Sequence, residues 1–271
     1  MGSGLWGWIV PAGLWELARP LLPPARGRPQ GGGVANIDDE AVFAAIVYVL
    51  VSGCAWRALP PCFGASKSTV HRRFLLWSRA GVWGRLHQRA LQLLDEQGLV
   101  DLSCAVLDSA HVRAKKGGEL AGPSPVDRGK PGSKMHILSD AGGLPLRVGF
   151  SAANAHDSLA LKPMLSHFHM GHESHAAESK PQRLHADKAY DVPHLRRWLW
   201  GKHIGVRIAR KGIDPSERLG RRRWVIERTM SWLTGYRRIN HRYERQPANY
   251  LAFLGLAAAI CCYKRLLKLA M

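Results

Sequence analysis

Between Cys104 and Ala152 the chain places three strand-like segments in succession, "CAVLDSAHV", "SKMHILSD" and "LPLRVGFSA". A Gly/Pro/Lys loop separates the first two, and a Gly turn precedes the third. Beyond them, helical and strand patterns alternate. "DSLALKPMLSHF" reads as a helix, "RLHADKAYD" as a strand ending in a turn, "VPHLRRWLWGKH" as a helix and "GVRIAR" as a strand. "LGRRRWVIERTMSWLTGYRRI" then reads as a long amphipathic helix, followed by an apolar C-terminal helix. Strands first and alternation afterwards restrict residues 101–271 to a mixed α/β domain.

Residues 1–100 have a different character. Residues 20–36, "PLLPPARGRPQGGGVAN", are rich in Pro and Gly and read as a linker or loop. Asp38 is placed to cap an apolar helix that Gly53 ends. A second helix starts at Ser66 or Ser68; Val70, Phe74 and Trp77 form its apolar stripe, and Lys67, His71, Arg72 and Arg73 make it basic. A third helix, "GVWGRLHQRALQLLDEQG", follows. Three short helices with a basic middle one predict a helix-turn-helix-like module. The same pattern also suits a small bundle with a solvated basic face.

Charge narrows the partners. The 271 residues carry 39 Lys+Arg against 20 Asp+Glu, a formal net charge of +19. Such an excess attracts polyanions, chiefly nucleic acid. Five scattered cysteines, Cys54, Cys62, Cys104, Cys261 and Cys262, form no CxxC pair, which argues against a disulfide framework or a zinc ribbon and for reduced thiols in the cytosol. The N-terminal stretch has no basic region like that of a signal peptide. "YLAFLGLAAAICCY" is short for a membrane span and suits a core helix, so no membrane partner is expected.

In so basic a chain the few acids are informative. Phosphoryl transfer on DNA needs carboxylates that hold divalent metal beside the phosphate. Asp108 follows "SCAVL" in or at the end of the first strand. Asp187 stands where a strand turns into a helix. Glu227 lies mid-helix, with Arg223, Ser231 and Thr234 on its face. Each also has a plain structural reading: a turn cap for Asp108, a helix cap or a pair with Lys188 for Asp187, and a pair with Arg223 for Glu227.

"LWELARPLLPP", "IVYVLVSGCAWRALPPCFG" and "STVHRRFLLW" resemble the DNA-binding region of insertion-sequence transposases of the insertion-sequence-five family, within the insertion-sequence-four-like superfamily. "VLDSAHVRAKK", "RGKPGSKMHILSDAGGLPLRV", "ANAHDS", "HADKAYD" and "RRRWVIERTMSWLTGYRRINHRYER" match the order of segments in that family's catalytic domain, so the resemblance spans about residues 14–265. It implies an RNase H-like catalytic domain over 101–271 behind a helical DNA-binding domain over 1–100. It also implies a DDE triad of Asp108, Asp187 and Glu227. Two Mg²⁺ ions, with Mn²⁺ as a substitute, would be held by these three, Asp108 bridging both. The implied partners are the double-stranded ends of a transposon and its target DNA, bound by a dimer or higher oligomer in a bacterial cytoplasm, at the nucleoid. The implied reaction cleaves at the inverted repeats and joins the 3′-hydroxyl to target DNA. The superfamily's Arg four residues before the Glu is matched by Arg223, but Gly220 stands at its Tyr position and Thr234 at its Lys position.

Lys115, Lys116, Lys130 and Lys134 flank the first two strands, and Arg223 and Arg228 flank Glu227, with Arg237 and Arg238 beyond. These, with Lys67, His71, Arg72 and Arg73, read as phosphate contacts. Four histidines in "HFHMGHESH" (His167, His169, His172 and His175) suggest zinc only weakly, since no Cys accompanies them. Asp157 in "ANAHDS" reads as a helix N-cap, and Asp140 and Asp191 as turn residues. Ser109 beside His111 lacks the glycine elbow of a serine nucleophile. A transposase-derived DNA-binding protein or repressor without catalysis, and a nuclease that never joins strands, are the alternatives.

Overall fold

Strand β1 (Ala105–Ala114) is the axis of the sheet and is paired along both edges. The computed structural model describes residues 5–24, 37–166, 180–213 and 220–269, and within the last stretch the side chains of 224–268. β1 runs antiparallel to β3 (Pro131–Ser139), which runs antiparallel to β4 (Pro145–Ala152). On its other edge β1 pairs in parallel with β5 (Arg183–Ala186), and β5 with β6 (Gly205–Ile208). Helix α5 (Ser158–Ser166) lies in the crossover into β5, and α6 (Pro193–Gly201) in the crossover into β6. The order β4-β3-β1-β5-β6, three antiparallel strands then two parallel ones, is the RNase H-like arrangement. Two short additions were not predicted: β2 (Gly122–Pro123) on β3 and β7 (His241–Arg242) on β1. A two-residue bridge leaves no periodic pattern to read.

The helical region begins with α1 (Leu14–Ala18), followed by α2 (Asp39–Ser52), α3 (Lys67–Arg79) and α4 (Val82–Glu96). Asp38 caps α2 by accepting from Glu40 N, and Gly53 closes it in the left-handed conformation (φ 69°). Of the two candidate caps for α3 it is Ser66 that accepts from Thr69 N, at 3.2 Å. Val70, Phe74 and Trp77 are buried, as their spacing predicts. α2 is buried along nearly its whole length, as an all-round apolar helix must be. The N-terminal segment also joins the core, through Trp6, Val10 and Leu14. Trp6 stacks on Phe63 at 5.1 Å, and Tyr263 donates a hydrogen bond to the Ala12 carbonyl at 2.9 Å. Gly13 (φ 79°) is required there, because a Cβ would come within 2.3 Å of the Tyr263 hydroxyl.

Helix α8 (Pro247–Leu269) joins the two regions. It packs on α3 and α4 on one side and on β4 on the other. Phe253 stacks on Phe74 at 4.3 Å, and Tyr250 meets Phe150 at 4.8 Å. Among the described helices it is long and apolar enough to cross a membrane, yet 67% of its most apolar window is buried inside the protein. It is therefore the core helix that the sequence predicts. One hydrophobic cluster runs from Trp6 to Tyr263 through both regions.

Arg242, on β7, is fully buried and ties several loops together. It donates to the Glu244 carbonyl (2.7 Å), the Ser133 hydroxyl (3.0 Å), and the carbonyls of Arg245 (2.7 Å) and Glu119, with its guanidinium 5.1 Å from the Phe150 ring centre. Removing it strands those acceptors in the interior. Arg242→Ala is predicted to destabilise the fold by about 3–5 kcal/mol, read as a fall in the urea midpoint with little change in slope. A loss below about 1 kcal/mol would contradict this reading.

Candidate active site

The parallel pairing of β1 and β5 matches Leu107 with Ala186. Asp108 and Asp187 are the next residue on each strand. Neighbouring strands lie about 4.8 Å apart, so the two backbones set Asp108 and Asp187 side by side at this end of the sheet. Asp108 lies inside β1 and is half-buried, while Asp187 is exposed immediately beyond β5. Both carboxylates are oriented locally. Asp108 Oδ1 accepts from Ser109 N at 2.8 Å, and Asp187 Oδ1 accepts from Ala189 N at 2.9 Å. The second contact caps the 3₁₀ turn Lys188–Tyr190, so the helix-cap reading of Asp187 holds beside any other role.

Glu227 comes from helix α7 (Gly220–Thr234), which packs against β1, β3 and α8. α8 covers the face that carries Phe150, Met135 and Ala110, and by strand alternation Asp108 is on that face. The helix is pinned at the β3–β4 turn. Thr229 Oγ1 donates to the Gly143 carbonyl at 2.7 Å, and Arg228 donates to the Gly142 carbonyl. Gly143 (φ 86°) makes this approach possible, since a Cβ would meet Thr229 Oγ1 at 3.2 Å. Val225, Ile226, Thr229 and Leu233 are buried, whereas Glu227 is exposed on the flank. The structure thus brings Asp108 and Asp187 together and sets Glu227 on a neighbouring helix. Among the described residues no three His, Cys, Asp or Glu side chains converge as a metal cluster. The Arg223 side chain and the His167–His175 segment lie outside the described residues.

On the opposite face of β1, Ser109 and His111 lie level with His136 and Lys134 of β3. Lys134, which its sequence position suggests as a phosphate contact, is buried instead. Its Nζ donates to Asp157 Oδ1 (2.9 Å) and to the Ala155 carbonyl (2.7 Å). Asp157 does stand just before α5, but its carboxylate also takes the Ser109 hydroxyl at 2.9 Å. Burial pushes the Asp157 carboxyl up, and the contacts with Lys134 and Ser109 outweigh it, leaving the group below the usual range. Tyr190 is buried nearby, and its hydroxyl is pushed well up by burial and by the charges of Asp157, Asp108 and Asp187. Asp157, Ser109 and Tyr190 were not picked out from the sequence as site residues. "ANAHDS" was the available signal, without a contact to interpret it.

Other basic residues divide the same way. Arg73 pairs with Asp39, and Arg238 is buried against Glu244 and the Cys54 carbonyl. Both serve packing in this structure, as does Lys134. Arg228 lies between Trp224 and Trp232, 4.7 and 5.1 Å from the ring centres. His71 is half-buried against Trp56 at 5.0 Å, and burial lowers its pKa. Lys67, Arg72, Lys115, Lys116, Lys130 and Arg237 are exposed. The rival acids are structural. Asp140 is buried in the β3–β4 turn, taking hydrogen bonds from Asp101 N (3.0 Å) and Leu144 N (2.7 Å), and Asp191 pairs with Arg196 at 2.7 Å.

Comparison with known proteins adds a family to this geometry. The model of the transposase DDE domain matches residues 101–262, and that of IS4/5-family transposases matches residues 10–87. The chain belongs to the insertion-sequence DDE transposases. It is 37% identical over 147 residues to the protein described as the transposase for insertion sequence element IS402 of Burkholderia cepacia, covering 54% of this chain and 69% of that one. It is 30% identical over 135 residues to the corresponding IS6501 protein of Brucella ovis, covering 47% of this chain and 95% of that one. A solved Mos1 strand transfer complex shares 10% identity over 89% of this chain and 81% of that one, with a TM-score of 0.33. The fold assignment rests on the strand order, not on that likeness.

Two buried histidines give this transposase a pH signature. Burial lowers His136, beside Ser151, to about 4, and likewise His87, which donates to the Pro145 carbonyl at 2.7 Å. Both are neutral when folded but take a proton near pH 6.5 when unfolded. Their contribution is therefore present above pH 6.5 and is lost as pH falls from 6.5 towards 4. At pH 5 each costs about 2 kcal/mol of stability relative to neutral pH. Asp140, which burial raises to about 6, acts in the opposite direction over this range, so the check is comparative: the change in urea midpoint between pH 7 and pH 5 should shift in His87→Gln by the share of one histidine. An equal pH dependence in that variant would contradict it.

Proposed function

We propose that this transposase binds the inverted-repeat ends of its insertion sequence as double-stranded DNA, cleaves there and joins the freed 3′-hydroxyl to target DNA. The observation that carries the reading is the adjacency of Asp108 and Asp187 on parallel strands, with Glu227 on the helix packed beside them. Membership of the DDE transposases and a net charge of +19 support it. A carboxylate pair is out of place on a DNA-binding face unless a cation offsets it, because phosphate would be repelled.

All three acids offer hard oxygen donors, which suits a divalent cation of the Mg²⁺ type. Asp108, Asp187 and Glu227 are the residues that would hold it, as two ions. When bound, such a cation activates the attacking oxygen and stabilises the departing one. The chain's own contribution is placement. The rigid β1–β5 pairing fixes two ligands, and the Thr229–Gly143 contact fixes the helix of the third. Exposed Lys115, Lys116, Lys130 and Arg237 would hold backbone phosphates near the catalytic domain. Lys67 and Arg72 on α3 would contact the terminal repeat. Water attacks phosphorus at the transposon end and the 3′-oxygen leaves; that 3′-hydroxyl then attacks a target phosphodiester, giving up its proton as the target strand's own 3′-oxygen leaves. Two ends must meet, so the working unit is a dimer or higher oligomer on DNA, in the cytoplasm.

Asp108→Asn, Asp187→Asn and Glu227→Gln are each predicted to lower cleavage of labelled inverted-repeat ends in Mg²⁺ by at least about 1,000-fold, equivalent to about 4 kcal/mol. End binding in gel shift should stay within about threefold, since each change removes a charge but no phosphate contact. Wild-type cleavage by any one of them would overturn its assignment. End binding without cleavage by the unaltered protein would favour a non-catalytic DNA-binding role. Cleavage without joining to a target plasmid would favour a nuclease.

A further inference from the structure

Asp157 has a costly position for a helix cap. Its partner Lys134 leaves β3 with a side chain only 7% exposed, and the pair is closed at 2.9 Å. Buried ion pairs contribute little to stability relative to apolar groups of the same shape, and one attested use of them is to fix position. What this pair specifies can be followed atom by atom. The Asp157 oxygen that takes the Lys134 ammonium also takes the Ser109 hydroxyl at 2.9 Å. Ser109 is the residue after Asp108, and its backbone N–H donates to Asp108 Oδ1 at 2.8 Å. The chain of contacts therefore runs from Lys134 through Asp157 and Ser109 to the first carboxylate.

A second branch reaches the other carboxylate. Helix α5 starts one residue after Asp157 and packs on β3, on β4 and on the Lys188–Tyr190 turn. That turn begins at Asp187, whose carboxylate caps it. An anchor at Asp157 thus fixes the start of α5 against the sheet, and α5 in turn supports the segment that carries Asp187. Lys134 balances the charge of Asp157, so no net negative charge is added beside the two carboxylates.

We propose that Asp157, held by Lys134, is a positioning residue that sets the placement of Asp108 relative to Asp187, and so the affinity of this pair for divalent metal. The inference rests on the reading of Asp108 and Asp187 as metal ligands. It gives "ANAHDS" a physical role: its Asp157, next to the first residue of α5, ties the helix start to β1 through Ser109.

The test is Mn²⁺ binding to the full-length protein, followed by the loss of the free-ion electron paramagnetic resonance signal, so that no DNA cleavage is needed. Ser109→Ala cuts the connection while leaving the ion pair. Lys134→Met combined with Asp157→Leu removes both charges together, so neither is left unpaired in the interior. Both variants are expected to bind Mn²⁺ about 10–100-fold more weakly than the unaltered protein. Adding Ser109→Ala to the double variant should cause no further loss, because all three residues act through one path. Asp108→Asn is the control and should abolish binding. If it does, and Ser109→Ala binds within twofold of the unaltered protein, the positioning role is overturned while the metal-ligand reading stands. If Asp108→Asn itself binds normally, the metal-ligand reading fails, and the inference with it. Should the double variant not fold, judged by its circular dichroism, Ser109→Ala decides alone. A lower melting temperature with unchanged Mn²⁺ affinity would mark a purely structural role and also overturn the inference.

Discussion

The pairing of β1 on both of its edges is the constraint on which the rest of this structure depends. One edge is antiparallel to β3 and the other parallel to β5. A strand held on both sides cannot slip without moving every side chain to the wrong face. Asp108 is fixed by that register opposite Ile137, and Asp187 is brought next to it by the parallel edge. Acids about 80 residues apart in sequence become neighbours through backbone hydrogen bonds alone, before any side-chain contact is considered.

Around this axis the two faces of the sheet have different work. The Asp108 face is covered by α7 and α8, so the helix that carries Glu227 is also packed on the helix that carries Phe253 into the N-terminal core. The Ser109 face holds polar groups in the interior: Asp157 takes Lys134 and Ser109, and His136 meets Ser151 through Nε2, while its buried Nδ1 has no partner among the described residues. α8 makes the two regions share a single core, so the placement of the helical region relative to the sheet is set by apolar packing and not by a linker.

Much of this was legible in the sequence. The strand segments, the alternation that follows them and the stripe Val70, Phe74 and Trp77 are local patterns, and local patterns survive folding. Asp108, Asp187 and Glu227 stood out because acids are scarce in a chain of this charge. What could not be read was which cations turn inward. Lys134, Arg73 and Arg238 look like surface cations in sequence, and each is committed to a partner 6 to 34 residues away. A long basic side chain is assigned to water or to the interior by tertiary contacts, which spacing does not encode. Asp157 was read as a cap for the same reason: its position before α5 is local, while its contacts with Ser109 and Lys134 come from strand pairing. Nor does spacing encode that the Glu227 side chain is exposed on α7 while its neighbours Val225, Ile226 and Thr229 are buried.

The account turns on whether Asp108 and Asp187 hold metal together. Anomalous diffraction at the manganese edge, from crystals of the full chain grown with an inverted-repeat duplex and Mn²⁺, addresses this without relying on turnover. The account predicts an anomalous peak within about 2.5 Å of carboxylate oxygens from both residues. Manganese bound elsewhere, at Asp140 or Asp191 for example, with none between Asp108 and Asp187, would contradict it.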